Sequence, residues 1–138
     1  MPSAGSCAVA RNLTRTLYAL SVIPIVAGLA TVILGADSLP APNDAPANVE
    51  SELRFYAVWW IGAGLFLAWL APRVEERTLE LRVFCALLFL AGISRLFAAA
   101  ATDWPSTGQL ILMGVELALP VVLVAWQARA SRQAPPTP

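Results

Sequence analysis

Four apolar runs, each about as long as a membrane's hydrocarbon core is thick, restrict what this chain can fold into. They cover residues 16–36, 53–71, 79–101 and 108–127. About 20 apolar residues in a helix cross about 30 Å of hydrocarbon. In lipid, every backbone amide must be satisfied within its own segment, so such runs fold as helices. Short connections make sequential helices antiparallel neighbours. The sequence therefore predicts an all-α integral membrane protein, an up-down-up-down four-helix bundle. Residues 16–128 form the transmembrane domain, between an N-terminal tail (1–15) and a disordered C-terminal tail (129–138) that ends Ala134-Pro135-Pro136-Thr137-Pro138.

Composition agrees. Of the 138 residues, 58% are hydrophobic and 13% charged, against about 45–50% and about 25% in soluble domains. Net charge is zero and no basic stripe with interleaved aromatics exists, so nucleic acid is not an expected partner. There is no His and all nine basic residues are Arg. That excludes an imidazole base, His-ligated haem and the HExxH zinc site. Without Lys there is no Schiff base and no Walker lysine. Cys7 and Cys85 form no CxxC and no disulfide framework. No cofactor, metal or catalytic residue is expected. The abundance of Ala and Pro suits a GC-rich bacterial genome, and hence a bacterial plasma membrane.

The first run is too long for a signal peptide, and Leu34-Gly35-Ala36 offers no cleavage site. Pro24 and Gly28 are expected to bend it. Orientation follows from the arginines. Arg11 and Arg15 precede the first helix, Arg73, Arg77 and Arg82 lie about the second connection, and Arg129 and Arg132 follow the fourth helix; the first and third connections (37–52 and 102–107) hold none. Both termini are thus expected on the cytoplasmic side, N-in and C-in. Trp69, Trp104 and Trp126 stand near helix ends, where amphipathic rings meet the headgroups. Asn48 is the expected cap of the second helix, and Asp103 or Ser106 that of the fourth. Gly62, Gly64, Ala68, Ala91, Gly114 and Ala118 are small residues that allow close helix approach.

Two charges sit where charges are expensive. Arg95 in the third run and Glu116 in the fourth lie at matching depth in the outer half, and each costs about 2.5–3.5 kcal/mol at a helix centre unless paired. Glu52 and Arg54 open the second helix at the same side, so a four-residue cluster of Glu52, Arg54, Arg95 and Glu116 is expected, with Asp103 at its mouth and Tyr56 as a hydrogen-bond partner. Such a cluster can fix helix register, bind a polar headgroup or a partner's charge, or form part of an ion path. The adjacent Trp59 and Trp60 point about 100° apart, so one can face the bundle and the other lipid or a partner. Glu75-Glu76-Arg77 and Glu80-x-Arg82 form a solvated turn.

The ordered set Glu52-x-Arg54, Gly62 and Gly64, Gly92-x-x-Arg95, the short Asp-x-Pro-Ser turn and Glu116 resembles bacterial membrane proteins labelled "domain of unknown function 4345", over roughly residues 15 to 128. Where that family often has a Gly-Arg pair, this chain has Ser94-Arg95. The resemblance implies a four-helix fold and supplies no activity. The expected role is a non-catalytic accessory or scaffold subunit of a membrane complex, in contact with membrane lipids and other integral membrane subunits. The alternatives are a stand-alone lipid- or quinone-binding protein using the polar cluster, and a transporter formed as a homo-oligomer.

Overall fold

The computed structural model describes residues 4–39, 45–102 and 104–133. They form four α-helices: α1 (Ala4–Leu34), α2 (Ala47–Leu70), α3 (Thr78–Ala101) and α4 (Thr107–Gln133). Short 3-10 turns follow α1 (Gly35–Ser38) and α2 (Ala71–Arg73). No strand occurs among the described residues. All four helices are long and apolar enough to cross a membrane. At about 1.5 Å per residue even the shortest spans about 36 Å.

The helices outrun the apolar runs. α1 begins at Ala4, inside the segment that reads as a polar tail, and α4 continues to Gln133. Helix formation needs only internal hydrogen bonds, so it does not stop where hydropathy falls. Pro24 and Pro120 are both accommodated inside unbroken helices. At the other termini Pro72 does stop α2, standing in the 3-10 turn. α2 starts after Pro46, with no side-chain cap, so Asn48 is not its cap. A proline ahead of the first turn has its φ already near the helical value. α4 begins directly after Ser106, whose carbonyl accepts from the Leu110 amide. Asp103, the proline-rich first connection about Pro40, Pro42 and Asn43, and the 134–138 tail lie outside the described residues.

The chain divides into two compact units. The first comprises residues 14–72 and is an α1–α2 hairpin. Contacts climb it in antiparallel order. Thr14 Oγ1 donates to the Ala71 carbonyl at 3.1 Å. A Cβ on Gly64 would lie 2.6 Å from the Ser21 carbonyl oxygen, and one on Gly28 would lie 2.6 Å from that of Ala57. Each helix thus presses a glycine against the other's backbone, closer than any larger residue allows. Gly62, two residues from Gly64, has nothing within 4 Å of such a Cβ.

The second unit joins residues 1–13 to residues 73–138, chiefly the α3–α4 hairpin. On α4 the buried residues are Met113, Glu116, Pro120, Leu123, Gln127 and Ala130. Their spacing alternates between three and four, the seam of a left-handed helix pair. On α3 the matching row is Leu81, Cys85, Leu88, Gly92, Arg95 and Ala99, of which Leu88 and Arg95 are half-buried. Cys85 is buried and unbridged. Outside the seam, residues such as Val121, Leu87 and Phe97 are exposed. Apolar side chains therefore occupy both faces of each helix, as lipid solvation permits.

Candidate functional site

Arg95 and Glu116 occupy facing seam positions of α3 and α4, and they meet. Arg95 Nε donates to Glu116 Oε2 at 2.8 Å. Its Nη1 donates to Gln109 Oε1 at 2.6 Å, about two helical turns nearer the start of α4. The Glu116 side chain is 10% exposed and that of Arg95 32%. Gly92, one turn before Arg95, leaves room for Leu117 and the Glu116 Cβ to come close. A small cavity of about 110 Å³ lies beside the guanidinium, bounded by Ala98, Thr102, Pro105, Gln109 and Met113. Drug-sized ligands occupy about 300–1,000 Å³, so this space suits water or one small group. The arrangement is neutral, and its donors and acceptors are largely turned on each other.

Arg54 is engaged elsewhere. Its Nε and Nη2 donate to Glu50 Oε1, at 3.0 and 2.7 Å, while Nη1 donates to the Val32 and Ile33 carbonyls, the latter at 3.3 Å. Glu50 Oε2 in turn accepts the Ala36 amide at 2.8 Å. Together they close the C-terminus of α1. The guanidinium covers carbonyls that have no partner within the helix and sits at the negative end of its dipole. The carboxylate covers the Ala36 amide just beyond it. Gly35 makes the turn with φ of 59°, and a Cβ there would fall 1.7 Å from Glu50 Oε1. The partner of Arg54 is therefore Glu50, not Glu52. Residues four apart share a helix face, whereas residues two apart do not. The i, i+4 spacing of Glu50 and Arg54 was the signal in the sequence that pointed to this pair. Glu52 is exposed, and no ion pair engages it among the described residues. Among the described residues the expected cluster's charges thus show two ion pairs, Arg54 with Glu50 in one unit and Arg95 with Glu116 in the other. Tyr56 is exposed and packs edge-on against Phe55, with ring centroids 5.4 Å apart.

The tryptophan pair splits as its 100° offset requires. Trp59 is 66% exposed and Trp60 half-buried. Phe55 lies one turn above Trp59, edge-on at 6.3 Å, so Phe55, Tyr56 and Trp59 form an outward aromatic ladder on α2. Gly114 and Ala118 are likewise exposed on α4, and nothing lies within 4 Å of a Cβ placed on Gly114.

Gln127 is a buried polar residue that sequence reading passed over. Its Nε2 donates to the Val74 carbonyl at 3.1 Å and to Thr78 Oγ1 at 2.7 Å, tying α4 to the start of α3. Its Oε1 is buried without a hydrogen bond among the described residues. Ser131 Oγ adds a longer bond to the Glu75 carbonyl. No group of three or more metal-ligating side chains gathers among the described residues.

Residues 13–127 match the family described as "Domain of unknown function (DUF4345)". This chain belongs to that family. No curated protein and no solved structure matches it. The matched stretch takes in Arg54, Arg95, Glu116 and both tryptophans, so the two ion pairs and the aromatic ladder all lie within the family's domain.

Proposed function

We propose that this family member is a non-catalytic accessory or scaffold subunit of a bacterial plasma-membrane complex. It crosses the membrane four times with both termini on the cytoplasmic side, and packs helix to helix against other integral membrane subunits. The observation that carries this reading is the outward ladder of Phe55, Tyr56 and Trp59. Three large rings on one exposed face of α2 offer the kind of anchor that dominates helix and protein interfaces. The open small-residue face of Gly114 and Ala118 on α4 supports it, since such faces permit close approach of another helix. In this reading the Arg95–Glu116 pair fixes the register of α3 on α4, because its charges already satisfy each other.

Extraction of the native protein in a mild detergent, followed by mass spectrometry of what co-migrates, tests the reading. Discrete membrane subunits in fixed ratio are expected. Trp59→Ala should release them while the free protein keeps its helical content and melting behaviour; Trp60→Ala should not. A monodisperse monomer without a protein partner, unchanged by Trp59→Ala, would overturn it.

A quinone-binding role for the Arg95 cluster is disfavoured by the 110 Å³ cavity there. A homo-oligomeric transporter would place Arg95 and Glu116 on a pore, and would be recognised by a symmetric assembly in the same extraction.

A further inference from the structure

A groove lies at the opposite end of the α3–α4 unit from Arg95. It measures about 450 Å³ and is lined by Val9 from the start of α1 and by Val122, Ala125, Trp126 and Arg129 of α4. The four α4 residues fall at spacings of three, four and seven, which puts them on one helix face. Their order along the axis follows the anatomy of a phospholipid. Arg129 stands beyond the end of the apolar run, Trp126 lies about 4.5 Å deeper and Val122 about 6 Å deeper again. A cation, an amphipathic ring and an aliphatic wall thus succeed one another from headgroup level into the acyl region. Arg129 is exposed, and no carboxylate among the described residues lies within ion-pairing distance of it.

The surrounding charge has one sign. Gln127 and Ser131 bond to the segment 74–78, so the end of α4 and the start of α3 share this end of the unit. Arg73, Arg77, Arg82, Arg129 and Arg132 belong to it by sequence, and Arg11 follows Val9 by two residues; against these six stand Glu75, Glu76 and Glu80. The other end holds the neutral Arg95–Glu116 pair.

We infer that this groove binds an anionic phospholipid from the leaflet at the arginine-rich end. Arg129 holds the phosphodiester, Trp126 lies against the glycerol region, and Val9, Val122 and Ala125 receive the first acyl carbons. A basic pocket between helices on the membrane's inner side is a recognised kind of anionic headgroup site. The inference rests on the membrane-spanning part of the proposed function and not on its protein partners.

Purified protein in detergent micelles doped with dioleoyl phosphatidylglycerol, dioleoyl phosphatidylcholine or, in free solution, glycerol phosphate provides the test. Native mass spectrometry and thermal melting give the readouts. Phosphatidylglycerol should be retained and should raise the melting temperature more than phosphatidylcholine; glycerol phosphate should do neither. Arg129→Gln should weaken phosphatidylglycerol binding about fivefold, the effect of one arginine at a charged membrane surface. Ala125→Phe, which fills the groove without changing charge, should weaken it as well and decides the matter if Arg129→Gln does not fold. Arg132→Gln, which leaves the groove lining intact, should retain most of the preference. Equal binding of the two lipids overturns the site, as does a preference that survives Arg129→Gln and Ala125→Phe, or one lost equally in Arg132→Gln. A shift reproduced by glycerol phosphate shows a soluble anion site instead. Whether the protein stays in the membrane pellet through alkaline washing is measured separately, so a failure of the membrane reading is distinguishable from a failure of the lipid site.

Discussion

Replacing Arg95 by leucine removes the guanidinium and leaves Glu116 in the α3–α4 seam. That carboxylate is 10% exposed, and its bond to Arg95 Nε spans 2.8 Å. An uncompensated buried charge costs about 3–5 kcal/mol. The Glu116 side chain keeps a little exposure, so Arg95→Leu should cost about 3 kcal/mol, the lower end of that range. The converse change, Glu116→Leu, leaves an arginine that is 32% exposed and still donates to Gln109. Its long stem can carry the charge toward water, so the loss should be smaller, about 2 kcal/mol. The double replacement removes both charges and leaves two leucines at facing seam positions. It should cost no more than about 2 kcal/mol, since apolar pairs of similar volume often match or exceed the ion pair they replace. Reversible unfolding in mixed micelles, followed by circular dichroism, gives all three values. The expected order is Arg95→Leu, then Glu116→Leu, then the double variant, with strong non-additivity. If the two single losses simply add, the residues do not stabilise each other and the register of α3 on α4 is wrong.

The α1 cap gives a second test. Gly35→Ala forces a Cβ into the left-handed region and against Glu50, so it should cost at least about 1–2 kcal/mol by the same unfolding measurement. Arg54→Leu should lower stability and loosen the end of α1, seen as faster amide exchange at Ala36, whereas Glu52→Gln should change neither. Within the α1–α2 hairpin, Gly28→Val and Gly64→Val should each destabilise by about 1–3 kcal/mol through overpacking, while Gly114→Ala should leave the isolated protein's stability unchanged or raised. For sidedness, in a background with Cys7 and Cys85 replaced by serine, Asn43→Cys should react with an impermeant thiol reagent from outside the cell. Arg132→Cys should react only after the cytoplasmic face is opened, and the reverse pattern would overturn the orientation.

The residues of the two ion pairs show how legible the site was. Arg95 and Glu116 stand out in sequence because a charge inside an apolar run has few alternatives to a partner at equal depth. Depth alone groups Arg54 with Glu52 at the start of the second helix. Helix phase separates Glu52 from Arg54 and joins Arg54 to Glu50. That Arg54 also reaches the carbonyls of Val32 and Ile33 depends on where α1 ends and how Gly35 turns, which no spacing in the sequence records. The groove at Trp126 and Arg129 depends likewise on α1 starting at Ala4 and bringing Val9 beside α4.

The sequence by itself determined that four helices form and roughly where each lies, because runs of about 20 apolar residues leave the backbone no other way to satisfy its hydrogen bonds in lipid. It did not determine which side of each helix faces a neighbour. In a soluble helix the buried stripe is apolar and the outer face polar, so periodicity reveals the contact face. Here Val121 and Leu87 are exposed and Leu123 and Leu81 buried, with no difference in hydropathy between them. What distinguishes the seam is size and polarity: Gly28 against Ala57, Gly64 against Ser21, and Gly92, Arg95, Glu116 and Gln127 in the α3–α4 row. Only the tertiary structure chose among the small and polar residues, seating Gly64 against a backbone while leaving Gly62 and Gly114 open. Van der Waals contact and hydrogen bonding, rather than the hydrophobic effect, decide how helices meet when the solvent is itself apolar.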